Sequence, residues 1–204
     1  MPNWCSNSIT ISGPTETVKT LWDEASANWK AGNYGLLDAM VPMPEALKNT
    51  TSPCESNEAL EKAHGASNWY DWAASNWGTK WDINDEGLEF TDHEDGTASI
   101  AGWFESAWAP PIEAYNKWLD DMDNCSIDAT YEEGGMDFAG IYLDGDDAYM
   151  EDLSDWCRKV VAGKVKLEDT PELFQKLDDE FDLIENRREY IEEEMAEDKE
   201  AINV

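Results

Sequence analysis

The chain has 204 residues, with 46 acidic against 14 basic side chains, a formal net charge of −32 and 41% hydrophobic residues that include 11 tryptophans. This apolar, aromatic content excludes a disordered acidic tail, and the length suffices to bury a core without disulfide or metal. The negative surplus disfavours direct binding to nucleic-acid phosphates, where lysine and arginine displace counterions, and disfavours anionic membranes on the same ground; the fitting partner is a protein or complex with a basic surface.

In chain order, Ser6–Ser12 (SNSITIS) alternates small polar and apolar residues as a strand does, and Gly13-Pro14 ends it. Pro14 to about Trp29 is predicted helical, with Val18, Leu21, Trp22, Ala25 and Trp29 on one face. The stretch from Gly32 to Trp81 is too long for a bare loop and is expected to hold short helices packed through Trp69, Trp72, Trp77 and Trp81. Strands follow at about Gly87–His93 and Thr97–Trp108, joined by Glu94-Asp95-Gly96, a favourable hairpin turn. Pro110-Pro111 starts a helix to about Met122 that buries Ile112, Tyr115, Trp118 and Leu119. Ser126–Tyr131 and Asp137–Leu143 read as a second strand pair.

That order predicts an α+β fold: a ferredoxin-like antiparallel sheet with one extra strand, helices on one face and a Trp-rich insertion. Two helices are expected to close the chain. One covers about Asp147–Ala162, and one runs from the Thr170-Pro171 start past Met195. The predicted organisation is a ferredoxin-like domain over 1–146, with its insertion at about 32–81, and a helical extension over 147–204. The last helix, with Leu177, Phe181 and Ile184 in register, offers a surface for dimerisation or docking. Cys5, Cys54, Cys125 and Cys157 form no CxxC pair and the chain has two histidines, so no zinc pattern arises, and no cofactor is implied. Without a secretory leader pattern or a membrane-length apolar run, the expected location is the cytoplasm, with the cysteines reduced.

Five segments in order carry a family resemblance: MPNWCSNSITISG, VPMPEAL, WYDWAASNWGTKWD, FESAWAPP and YEEGGMDFAG. Together they resemble the phage- and plasmid-borne family with a YubB-type ferredoxin-like domain, from Met1 to about Leu143. The resemblance implies a ferredoxin-like fold, a mobile-element origin and a bacterial host cell. It brings no catalytic mechanism.

Charge is unevenly placed. Residues 82–152 hold 21 acids and one base, Lys117, whereas 1–81 hold nine acids and five bases. The expected partner-binding acidic face comprises Glu89, Asp92, Glu94, Asp95, Asp120, Asp121, Asp123, Glu132, Glu133, Asp144, Asp146 and Asp147. Carboxylates so gathered could stand in for DNA phosphates in a basic groove and blunt a host nuclease or defence complex; the bland reading is a solvated face kept for solubility. A second site candidate is a pocket for a nucleotide- or sugar-like ligand lined by Trp69, Trp72, Asn76, Trp77, Lys80 and Trp81, against the plainer reading of a satellite core. Asp82, Asn84, Glu86 and Gly87 imitate half a calcium loop, but His93 stands where the bidentate glutamate belongs. No nucleophile elbow, phosphate loop or dinucleotide fingerprint occurs, so the expected role is binding without catalysis.

Overall fold

The computed structural model describes residues 3–32, 34–53 and 55–202, with side chains to residue 197. Cys54 lies outside the described residues. Strand β1, Trp4–Pro14, alternates strictly: Cys5, Asn7, Ile9 and Ile11 point into the core, and Ser6, Ser8 and Thr10 point outward. Asn7 is the polar exception on the inner face. It is satisfied there, donating to the Cys5 carbonyl at 2.7 Å and the Ser106 hydroxyl at 2.9 Å.

Helix α1, Thr15–Ala31, follows directly and ends on a left-handed Gly32. Four short helices fill the insertion: α2 Leu36–Met40, α3 Glu45–Lys48, α4 Glu58–His64 and α5 Trp69–Asn76. Then come β2 Leu88–Asp92, β3 Thr97–Ala107, α6 Ile112–Asp121, β4 Ser126–Glu133, β5 Phe138–Leu143 and β6 Asp146–Glu151. The sheet order is β2-β3-β1-β4-β5-β6, antiparallel throughout. The first four strands have ferredoxin-like order, and β5 and β6 extend the sheet beyond β4.

Val18, Leu21 and Ala25 of α1 and Ala114, Tyr115 and Trp118 of α6 share one core with Ile9, Ile11, Ile100 and Ile127. Both helices therefore cover the same sheet face, as expected. A second core forms on the other face. There Ala139 and Ile141 of β5 meet the chain's last helices, α7 Leu153–Val161, α8 Glu172–Phe181 and α9 Leu183–Ile202. These helices cover only the β4–β6 half. Among the described residues, no helix of either core cluster covers the outer face of β1, β2 and β3.

Two expectations about the C-terminal part are corrected. Residues 147–151, predicted as the start of a helix over about Asp147–Ala162, belong instead to β6, Asp146–Glu151. Asp144 and Gly145 both have positive φ, 48° and 100°, which matches the two-residue hairpin turn that an Asp-Gly pair favours. The final helix is two helices, broken at Asp182, whose φ is 50°. The Asp178 carboxylate accepts the Ile184 N–H at 2.8 Å and so caps the start of α9.

Candidate functional site

The sheet register decides which acids meet. Pro14 at the end of β1 faces Thr97 at the start of β3, and Ser12 faces Ser126 at the start of β4. The Thr15 N–H reaches the Gly96 carbonyl at 3.0 Å. On the β4 side, the Asp144 carboxylate accepts from the Ser126 hydroxyl at 2.8 Å and the Ile127 N–H at 2.7 Å. The β2–β3 turn, the end of α6 and the β5–β6 turn thus share one rim of the sheet. They bring there Asp92, Glu94 and Asp95, then Asp120, Asp121 and Asp123, then Asp144 and Asp146, with Asp147 further along β6, where it accepts the Tyr131 hydroxyl at 2.7 Å. All nine are exposed.

Several of these carboxylates also shape their turns. Asp92 accepts the Glu94 N–H, and Asp95 accepts both the hydroxyl and N–H of Thr97. Those Thr97 bonds hold the Asp95 carboxyl below its ordinary range. Lys117, the one base of the segment, points away and donates to the Ser75 carbonyl and Asn76 Oδ1.

Three predicted members stand elsewhere. Glu89 is the second residue of β2, opposite Ala101 and away from the β2–β3 turn. Glu132 faces Ser6, near the other end of β1, and is paired with Arg187 of α9 at 2.7 Å. Glu133 is 1% exposed and accepts the N–H groups of Gly135 and Met136, so it closes a turn and cannot present a charge to a partner.

The six residues of the predicted pocket do not line one cavity. Trp72 and Trp77 are buried in the main core, with ring centroids 5.5 Å apart and edge to face. Trp77 Nε1 donates to the Val41 carbonyl at 2.9 Å. Trp69 is partly buried against the same core. Asn76 is committed to the Trp72 carbonyl and Lys117. Lys80 and Trp81 sit apart from these. The Lys80 ammonium lies 4.3 Å from the Trp81 ring centre, 5.1 Å from Trp108 and 5.7 Å from Tyr70.

Asp82, the first residue of the calcium-loop imitation, turns inward. It accepts N–H groups from Gly35 at 2.7 Å, Leu37 at 2.8 Å, Asp38 at 2.9 Å and Ile83 at 2.8 Å, anchoring the start of α2. Burial pushes its carboxyl up, and the four donors pull against that. Among the described residues, no three His, Cys, Asp or Glu side chains converge as a metal site. No helix there is long and apolar enough to cross a membrane.

Sequence reasoning passed over Trp4 and Trp103. Both take the outward parity of their strands and are 46% and 61% exposed. With Trp81 they wall a cavity of about 220 Å³, completed by Asn84, Glu86 and Glu105. The signal was available: Trp4 is two residues before Ser6 on the polar parity of β1, and Trp103 lies between inward Gly102 and Phe104.

No family model matches the chain, and no curated protein matches it. Among solved structures, it is similar to the crystal structure of a protein api92 from Yersinia pseudotuberculosis, family-model DUF1281, with a TM-score of 0.36 and 20% identity. The match spans 57% of this chain and 39% of that one.

Proposed function

We propose that this chain is a non-catalytic, cytoplasmic binding protein of a mobile element. Its acidic rim engages a basic surface on a host nucleic-acid-handling or defence complex, in the place that nucleic acid would take. The observation that carries the reading is the convergence, through strand register, of three acid-bearing segments around residues 92–95, 120–123 and 144–147 onto one rim. A purely solubilising surplus has no need to concentrate there. The resemblance of its sequence motifs to a phage- and plasmid-borne family supplies the setting.

A gathered negative rim steers a basic partner over a Debye length of about 8–10 Å and makes association sensitive to salt. The test begins with affinity capture from bacterial lysate at low and high salt. The retained partner's Kd is then measured across a salt series for the native protein, for D120N/D121N/D123N and for E89Q/D92N/E94Q. The rim reading expects slower association and a shallower salt slope in the Asp120–Asp123 variant. In the other variant, Asp92 and Glu94 carry the effect. Unchanged affinity and slope in both variants would refute it, as would a partner that binds nucleic acid and this protein simultaneously without competition.

The burial of Trp72 and Trp77, 5% and 1% exposed, supports the core reading of the Trp-rich insertion over the small-ligand reading.

A further inference from the structure

The sheet has a notch. Strand β2 pairs with β3 only as far as Leu88 opposite Gly102. Gly102 permits this approach, because a Cβ there would overlap the Gly87 carbonyl. Before Leu88 the chain leaves the sheet, and residues 103–107 of β3 continue with β1 alone. The Trp103 N–H points away from β1, to the Gly87 carbonyl at 3.1 Å, so by antiparallel alternation the Glu105 N–H and carbonyl also face the notch. The 81–86 segment walls the other side.

Into this notch open the rings of Trp4, Trp81 and Trp103 and the side chains of Glu86 and Glu105. Trp4 and Trp81 support each other, their ring centres 5.9 Å apart. Trp103 is held against Gly87, where a Cβ would meet its Nε1 at 3.1 Å. Among the described residues, no lysine or arginine lines the cavity. Lys80 is engaged with the Trp81, Trp108 and Tyr70 rings. Asp82, though at the margin, is consumed by its four N–H donors. Glu86 and Glu105, both exposed, form no ion pair or side-chain hydrogen bond among the described residues.

We infer that this notch is a binding site for a single arginine side chain presented by a partner polypeptide. The chemistry selects a cation with a flat face. Indole rings attract cations through their quadrupole, and a guanidinium stacks on them as well, while its N–H fork matches a carboxylate. A neutral sugar would use the rings but leave two carboxylates without a counter-charge. A nucleotide phosphate would be repelled by both. A cavity of about 220 Å³ accommodates one side chain and not a folded element. The site is distinct from the acidic rim. The notch lies beside Trp4–Ser8 of β1 and the rim beside Ser12–Pro14, so about 20–30 Å of strand separates them. A partner that used both would have to span that distance with separate basic contacts.

The experiment titrates N-acetyl-arginine amide into ¹⁵N-tryptophan-labelled protein and follows the indole N–H signals, assigned by single Trp→Phe variants. Saturable shifts are expected at Trp4, Trp81 and Trp103, with Trp72 and Trp77 unmoved. N-acetyl-citrulline amide, the uncharged isostere, should produce no saturable shift, and N-acetyl-lysine amide should bind more weakly than the arginine amide. E86Q/E105Q should weaken arginine binding about tenfold or more, equivalent to about 1.4 kcal/mol, while an unchanged spectrum shows the fold intact. The D120N/D121N/D123N rim variant should bind as the native protein does, which separates this inference from the proposed function. Equal binding of citrulline, an E86Q/E105Q titration identical to the native one, or competition at Trp103 by an uncharged oligosaccharide such as cellohexaose would overturn it.

Discussion

Truncating Trp77 to alanine tests whether the tryptophan-rich insertion is core. The indole is 1% exposed, edge to face with Trp72 at 5.5 Å and with Tyr34 at 5.9 Å, and its Nε1 satisfies the Val41 carbonyl. Large aromatic truncations in a core cost about 3–5 kcal/mol from lost transfer energy and the cavity left behind. Stranding the Val41 carbonyl adds about 1 kcal/mol where water does not reach it. The expected loss is therefore about 4–6 kcal/mol, a large part of the roughly 5–15 kcal/mol that stabilises a typical native state. For a chain of this length it corresponds to a Tm lower by about 10–20 °C. Trp77→Phe keeps a ring in place but loses the hydrogen bond and part of the volume, so about 1–3 kcal/mol is expected. Urea unfolding followed by near- and far-UV circular dichroism measures both variants, with coincident transitions as the check on two-state behaviour. A loss under about 1 kcal/mol for Trp77→Ala, with cooperativity retained, would refute the core assignment and return the insertion to consideration as a ligand pocket.

The pairing of Arg187 with Glu132 joins α9 to β4, with side chains 16% and 20% exposed. Arg187→Ala should cost about 2–3 kcal/mol, below the roughly 3–5 expected for a fully buried pair because water reaches both groups, and Arg187→Lys should recover part of it in the same denaturant assay. The acidic rim should behave oppositely: D120N/D121N/D123N relieves exposed like-charge repulsion, so chemical denaturation at low salt should show stability unchanged or raised, and a clear loss would mean that these carboxylates hold the fold together. Burial pushes the Cys5 thiol up to about 12 and the Cys157 thiol up to about 11, both from 9.0. The unfolded chain thus ionises first. The stability these thiols contribute is complete below pH 9 and is lost as pH rises from 9 through about 11–12, and Cys5→Ala should flatten that slope in an alkaline unfolding series. Iodoacetamide at pH 8 should accordingly label partly exposed Cys125 ahead of Cys5 and Cys157, as peptide mass mapping reads; early labelling of Cys5 would contradict its placement in the core.

Much of this architecture is legible in the sequence because local chemistry and global fold agree. The alternation of SNSITIS, the Glu94-Asp95-Gly96 turn, the Pro110-Pro111 helix start and the periodic stripes of α1 and α6 each specify an element, and the element order specifies a ferredoxin-like sheet. The Asp144-Gly145 hairpin was equally visible in kind. The acidic run around it and the helix expected over about Asp147–Ala162 point elsewhere, and only pairing with β5 chooses strand over helix. Asp182 breaks the last helix because tertiary contacts hold Leu183 and Ile184 in the second core while Asp178 caps the new start. For the acidic residues, composition determined how many there are and tertiary structure determined their roles. Glu132 and Glu133 adjoin in sequence, yet one is paired by Arg187 and the other buried under a turn. The rim acids come from three segments spread over some fifty residues and meet because antiparallel register brings the end of β1 beside the starts of β3 and β4. The notch between Trp4, Trp81 and Trp103 has the same origin. Three tryptophans spread over a hundred positions share a cavity because β2 stops short of its neighbour, a distance in space that no pattern along the chain encodes.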